Sequence, residues 1–180
     1  MSILSLDQLV RLGKHRWGAA VIAVLASRDG ARFVELLSAL GIARESLVRT
    51  LEGAIDAGWI MRNPGHGHPL RPEYILTPDG RRIAQACQAL IRTQADLHLP
   101  PTSLSRWSLP LVRTIGEGGN RFAMIERNLP FSNPRALTQS LKSLIGQELV
   151  NRTIIANFPP VPDYRLSSRG QRLAAALNAA

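Results

Sequence analysis

Two groups of hydrogen-bonding side chains stand out by type and spacing. Arg44, Glu45, Ser46, Arg49 and Thr50 fall within about two turns of a helix, as do Arg135, Ala136, Thr138, Gln139 and Lys142. An Arg can bond guanine through two parallel hydrogen bonds and a Gln can do the same to adenine, while Ser and Thr accept either kind of edge. Faces of this composition suit the base edges of duplex DNA. Arg62 and Arg71, with His66 and His68 between them, and Arg152 lie in turn-flanked stretches further along, where an Arg meets phosphates or a narrow groove. Two His on a Gly-rich tip without nearby Asp, Glu or Cys make a poor metal site, and no metal or other cofactor is expected.

Positioning these groups takes a helix with a partner helix before it and a hairpin after it, and the chain supplies that arrangement twice. Trp17, Leu47, Tyr74 and Gly80 recur as Trp107, Leu137, Tyr164 and Gly170, each 90 positions on. The Arg32-Phe33 pair recurs as Arg121-Phe122 at an offset of 89, so one residue is missing ahead of it. Shared spacing of this kind marks a duplication, dividing the 180 residues into a first unit at 1–99 and a second at 102–180, with Leu99-Pro100-Pro101 as the boundary.

Within the first unit, Ser5 caps a short helix to Leu12, with Gly13 expected to end it. Trp17 to Ala26 is apolar nearly all round and reads as a buried central helix. Arg32 to Leu40 is a third helix. Ala43 to Ala57 carries Leu47, Leu51 and Ile55 on one face. Trp59 to Met61 and Tyr74 to Leu76 pair as strands around a Gly/Pro/His tip. Thr77-Pro78 starts a long linking helix running to about Leu97. The second unit repeats this order from Trp107 to Ala180, with Pro110 placed in a first helical turn or at a kink and Asn133, counted with Arg135 to Lys142 among the DNA-contact candidates, capping a helix that begins at Pro134.

The net charge is +9, from 22 basic and 13 acidic residues, which favours a polyanionic partner. The second half carries most of that excess. From Arg127 to Gln147 there is no acidic residue, whereas the first copy mixes in Glu45, Glu52 and Asp56, so phosphate attraction should be stronger for the second copy. The one cysteine, Cys87, excludes an internal disulfide, fits a reducing compartment and sits on the apolar side of its helix. No apolar run approaches the ~18 residues of a membrane span, and the start does not read as a signal peptide, so a cytoplasmic chain is expected. Catalysis is not expected: there is no nucleophile elbow and no His-Glu-X-X-His, and Gly116-Glu117-Gly118-Gly119 lacks the Lys or Ser/Thr that a phosphate loop requires.

Two short helices and a tight turn, followed at once by a hairpin, make a winged helix-turn-helix. The chain resembles the HxlR-type regulators within the wider MarR-like group. The resemblance rests on the Arg-Phe openings, Pro134-Arg135-Ala136-Leu137, the Ala57-Gly58-Trp59-Ile60 step into a strand, the Pro-rich wing ahead of Glu73-Tyr74-Ile75-Leu76-Thr77-Pro78-Asp79-Gly80, and Leu12-Gly13-Lys14-His15-Arg16-Trp17. It covers about 75 residues in each half.

The resemblance implies two protomers fused into an intramolecular pseudo-dimer. The resulting fold class is mainly α with small β-hairpins (α+β), built as tandem winged helix-turn-helix domains. It also implies a transcriptional regulator of double-stranded DNA rather than an enzyme, with a small-molecule effector and a homodimer of the tandem chain left open. If the units keep a dimer's approximate twofold, the recognition helices would stand ~34 Å apart. Two departures matter. The N-terminal segment carries no cysteine of the redox-sensing kind, and Ala43 and Arg44 replace the expected cap and proline of the first recognition helix. The rival class is a tandem winged-helix protein adaptor in a chromosome-organising or multisubunit assembly, which needs no basic face.

Overall fold

The computed structural model describes residues 4–63, 73–130, 132–156 and 160–179. The first unit opens with α1 (Leu6–Lys14) and α2 (Gly18–Arg28). A short strand β1 (Ala31–Arg32), α3 (Phe33–Leu40) and α4 (Arg44–Asp56) follow. The hairpin β2 (Ile60–Asn63) and β3 (Glu73–Leu76) leads into α5 (Pro78–Asp96). The second unit runs α6 (Ser108–Gly116), α7 (Phe122–Asn128), α8 (Pro134–Gly146), β4 (Val150–Ile155), β5 (Val161–Leu166) and α9 (Ser168–Ala176).

Local chemistry accounts for most boundaries. Ser5 and Gln8 form a reciprocal capping box at α1. Glu35 accepts hydrogen bonds from both the backbone N–H and the guanidinium of Arg32, which pins the start of α3 and lowers the carboxyl's pKa. Gly41 ends α3 in the left-handed conformation. Pro110 lies in the first turn of α6, where its missing N–H costs no helical bond.

The two central helices are buried as expected. Val21, Ile22 and Leu25 of α2 and Leu111, Val112 and Ile115 of α6 sit in one continuous apolar core with Leu47, Leu51, Leu137, Leu141 and Leu144 from α4 and α8. Cys87 belongs to the same core.

Three expectations need correction. Gly13 does not end α1. It stays helical, and a Cβ there would lie 2.2 Å from the Arg106 carbonyl oxygen, so the residue permits a close approach between the units. The strand β1 has no signal in the sequence because two residues carry no periodicity; it pairs antiparallel with β3 to give a three-stranded sheet in the order β1-β3-β2. In the second unit β4 and β5 form a two-stranded sheet, and Asn120 contributes a lone carbonyl to the Tyr164 N–H at 2.8 Å. The last helix, which the sequence pattern places at Gln171 to Ala180, starts at Ser168 under a Ser167 cap.

The units meet through helices at both ends of the chain. α1 packs on α6, and α5 packs on α9. Arg169 donates to the Leu97 carbonyl at 2.9 Å, and Arg172 lies 3.6 Å from Asp96. Among the described residues no helix is long and apolar enough to cross a membrane.

Candidate nucleic-acid interface

Each unit presents one amphipathic helix with its apolar side in the core and its polar side in solvent. In α8, Leu137, Leu141 and Leu144 point inward, leaving Arg135, Thr138, Gln139 and Lys142 exposed. The helix is held at its start by Asn133, whose side chain accepts from the Arg135 N–H at 2.8 Å, and by Pro134 at the first position. Asn133 is therefore engaged as a cap. Thr138 is engaged too, donating to the Pro134 carbonyl at 2.9 Å. Ala136 is half-buried against the core.

The first copy is built differently. In α4, Leu47, Leu51 and Ala54 are buried, and Arg44, Glu45 and Arg49 are exposed. Ser46 is half-buried. Thr50 is not outward: it is 3% exposed, and its hydroxyl donates to the Ser46 carbonyl at 2.7 Å. It lies beside Leu51 and one turn after Leu47, so the buried arc of α4 is one residue wider than its leucine spacing indicates. Ala43 offers no side-chain cap. Arg44 instead folds over the Phe33 ring, 4.9 Å from its centroid, and ties the start of α4 to α3.

Each wing carries an arginine at equivalent register. Arg62 stands opposite Tyr74, with its guanidinium 5.6 Å from the ring centroid, and Arg152 stands opposite Tyr164. Both arginines are exposed. Arg71, His66 and His68 lie outside the described residues. Among the described residues no group of His, Cys, Asp and Glu could hold a metal ion.

A further set of groups beside α4 does not stand out in the sequence. The turn between α1 and α2 lays Lys14, His15 and Arg16 against α4, and with Ser46, Arg49 and Thr102 they line an open cleft of about 390 Å³. The imidazole of His15 lies so close over Gly53 that a Cβ there would be 2.1 Å from Nε2. Burial holds the His15 pKa below its ordinary value, and Lys14 and Arg49 add to that while Asp56 opposes it. The run of basic residues is visible in the sequence. Its place against α4 is a product of packing.

Cavities also lie under α1 where it crosses the second unit. One, of about 320 Å³, is mostly apolar, with Leu6, Val10, Trp107 and Leu129 in its wall. Leu6 and Asn128 join it to a more polar cleft of about 480 Å³ beside Arg113, Thr114 and Glu117.

A family match agrees with this architecture. The family model described as HxlR-like helix-turn-helix matches twice, over residues 12–99 and 104–180. An uncharacterized HTH-type transcriptional regulator of Methanothermobacter thermautotrophicus is 31% identical over 74 residues, covering 41% of this chain and 56% of that protein. The HTH-type regulator YvaP of Bacillus subtilis is 35% identical over 69 residues, covering 38% and 64%. The chain thus spans between half and two thirds of the length of these curated relatives. Among solved structures, diamide-treated YodB from B. subtilis is 25% identical, covering 47% of this chain and 80% of that one at a TM-score of 0.41. Wild-type MarR from E. coli in its apo form is 16% identical, covering 79% and 87% at 0.40. With both halves matched by one family model, the chain belongs to the HxlR-like helix-turn-helix family.

Proposed function

We propose that this chain is a transcriptional regulator that binds duplex DNA through two winged units in one polypeptide. In this reading α4 and α8 enter successive major grooves, and the arginines of the two wings hold the flanking backbone. The observation that carries it is the repeated pairing of a solvent-facing polar helix with an arginine-bearing hairpin, seen in α4 with Arg62 and in α8 with Arg152. The relatives' names as HTH-type regulators support the same reading.

Arg135, Gln139 and Lys142 are the reading and anchoring groups of α8, and Arg44, Glu45 and Arg49 those of α4. Ser46 stands at the edge of that set, and Asn133 and Thr138 position α8. Arg71 belongs to the first wing by its place in the sequence. Thr50 is left out because its side chain is buried. With no acidic residue between Arg127 and Gln147, α8 is the stronger anchor of the two helices. Two unlike reading helices call for an operator with two similar but non-identical half-sites. The apolar cavity under α1 is the place in the fold suited to a small-molecule effector.

Selection of binding sites from random duplexes by the purified chain tests this reading, and the expected result is two related half-sites about one helical turn apart. Arg135→Ala with Lys142→Ala should weaken binding at least tenfold, in keeping with the ~1–3 kcal/mol of one bidentate base pairing, to which the phosphate held by Lys142 adds. Recovery of a single half-site would count against the tandem geometry. Binding that is indifferent to salt would move the chain to the adaptor class.

A further inference from the structure

The cleft between the α1–α2 turn and α4 has an unusual composition for a surface hollow. Lys14, Arg16 and Arg49 bring three cationic side chains to it, His15 forms part of its wall, and Ser46 and Thr102 add hydroxyls. Among the described residues no carboxylate lines it; Asp56, near enough to act on His15, is the acidic group felt at that ring. All three cationic residues are exposed, so their charges face the cleft and solvent without being used to hold the core together. Arg49 also belongs to the outer face of α4, which makes the cleft continuous with the proposed reading surface.

The second unit is built differently at the equivalent place. Ninety positions on, Lys14, His15 and Arg49 are replaced by Leu104, Ser105 and Gln139. Leu104 is buried, and Ser105 closes onto Ser140 through hydroxyls 2.8 Å apart. Arg106, the equivalent of Arg16, lies against the Trp107 ring instead, 5.2 Å from its centroid. The concentration of charge beside α4 is therefore specific to the first unit, whose reading helix carries acidic residues and no side-chain cap.

We propose that the Lys14–Arg16–Arg49 cleft is a phosphate-binding site that takes a backbone phosphate of the DNA flanking α4. This rests on the DNA-binding reading above and deepens it. The first unit grips the duplex backbone through the α1–α2 turn, while the second relies on the face of α8. Lys and Arg in such a role are sequence-independent and act by displacing condensed counterions, so their signature is a salt dependence rather than a base preference.

The test is fluorescence-anisotropy titration of the full chain over a range of salt. It uses a selected site and an unrelated mixed-sequence duplex, with Lys14→Gln/Arg16→Gln compared to Lys14→Arg/Arg16→Lys and to Arg135→Ala/Lys142→Ala. Both Lys14 and Arg16 are exposed, so an unchanged thermal midpoint is expected and serves as the folding control. The glutamine pair should lose affinity equally for both duplexes, and the slope of log K against log salt should flatten by about 0.9 for each phosphate that is no longer neutralised. The charge-conserving pair should retain the wild-type slope.

A glutamine pair with wild-type slope and affinity, beside a weakened α8 variant, overturns this site and leaves the DNA reading standing. A wild-type chain that binds no duplex overturns both. Calorimetric titration with inorganic phosphate separates the remaining source. Phosphate binding abolished in the glutamine pair while the DNA slope stays unchanged would overturn the backbone assignment in favour of a free oxyanion.

Discussion

At the scale of single residues, some equivalent positions keep one role in both units and others diverge. Gly80 and Gly170 are alike: a Cβ at either would lie 2.0 Å from a strand-entry carbonyl oxygen, that of Trp59 or of Leu149. The same joint repeats in Thr77 and Ser167, whose hydroxyls donate to the carbonyls of Gly58 and Glu148 at 2.6 Å. The reading faces diverge, with Arg49 replaced by Gln139 ninety positions on, whereas Thr50 and its equivalent Ser140 are both buried. Cys87 is a core residue, and burial pushes its thiol up to about 12. Its folded-state value lies above the ordinary one, so the thiol stays protonated through neutral and mildly alkaline pH, and the reactive thiolate is scarce. A thiol reagent at pH 8 should leave the native chain unlabelled and modify Cys87 only after denaturation. Rapid native labelling would contradict that packing.

At the scale of elements, the two reading helices differ most at their starts. α8 has both an Asn cap and a proline at its first position, and α4 begins at an uncapped Ala43 held by the stacking of Arg44 on Phe33. Ala43 is exposed and already has the extended backbone of a cap position, with φ −64° and ψ 144°. Ala43→Ser should therefore stabilise the chain by roughly 0.5–1 kcal/mol, and Asn133→Ala should destabilise it by about 1 kcal/mol. Denaturant midpoints at constant slope check both signs. Shifts of the opposite sign, or none, would mean that helix entry is set by packing alone. The order of these elements is legible in the sequence because periodicity and capping act within a few residues. The strand β1 is not, since two residues acquire strand geometry only by pairing with β3.

At the scale of the whole molecule, the junction between units depends on the small size of Gly13. Its α-carbon faces the Arg106 backbone, which has no flexible side chain to swing aside. Gly13→Ala should force α1 away from the second unit at a cost of about 1–3 kcal/mol, despite the higher helix propensity of alanine. Denaturant unfolding and limited proteolysis within residues 1–20 would register the change. A stabilised variant would show that α1 and the second unit do not approach as closely as described. The same displacement should open the cavities beneath α1, where Leu6 and Val10 meet Trp107 and Leu129.

The duplication, the succession of helices and hairpins, the buried central helices and the winged helix-turn-helix class are all written into the chain locally. Each follows from local spacing: apolar residues every three or four positions, caps next to helix starts, and turn residues between strands. Packing across the fold turns Thr50 inward, makes Gly13 a point of close approach rather than a helix stop, and brings Lys14, His15 and Arg16 to lie against α4. Those outcomes depend on which surfaces meet across the fold. A residue's own neighbours in sequence cannot specify which face of a distant helix it will find. The charge contrast between α4 and α8 is legible from composition, but the basic cleft that supplements α4 exists only once the α1–α2 turn is packed beside it.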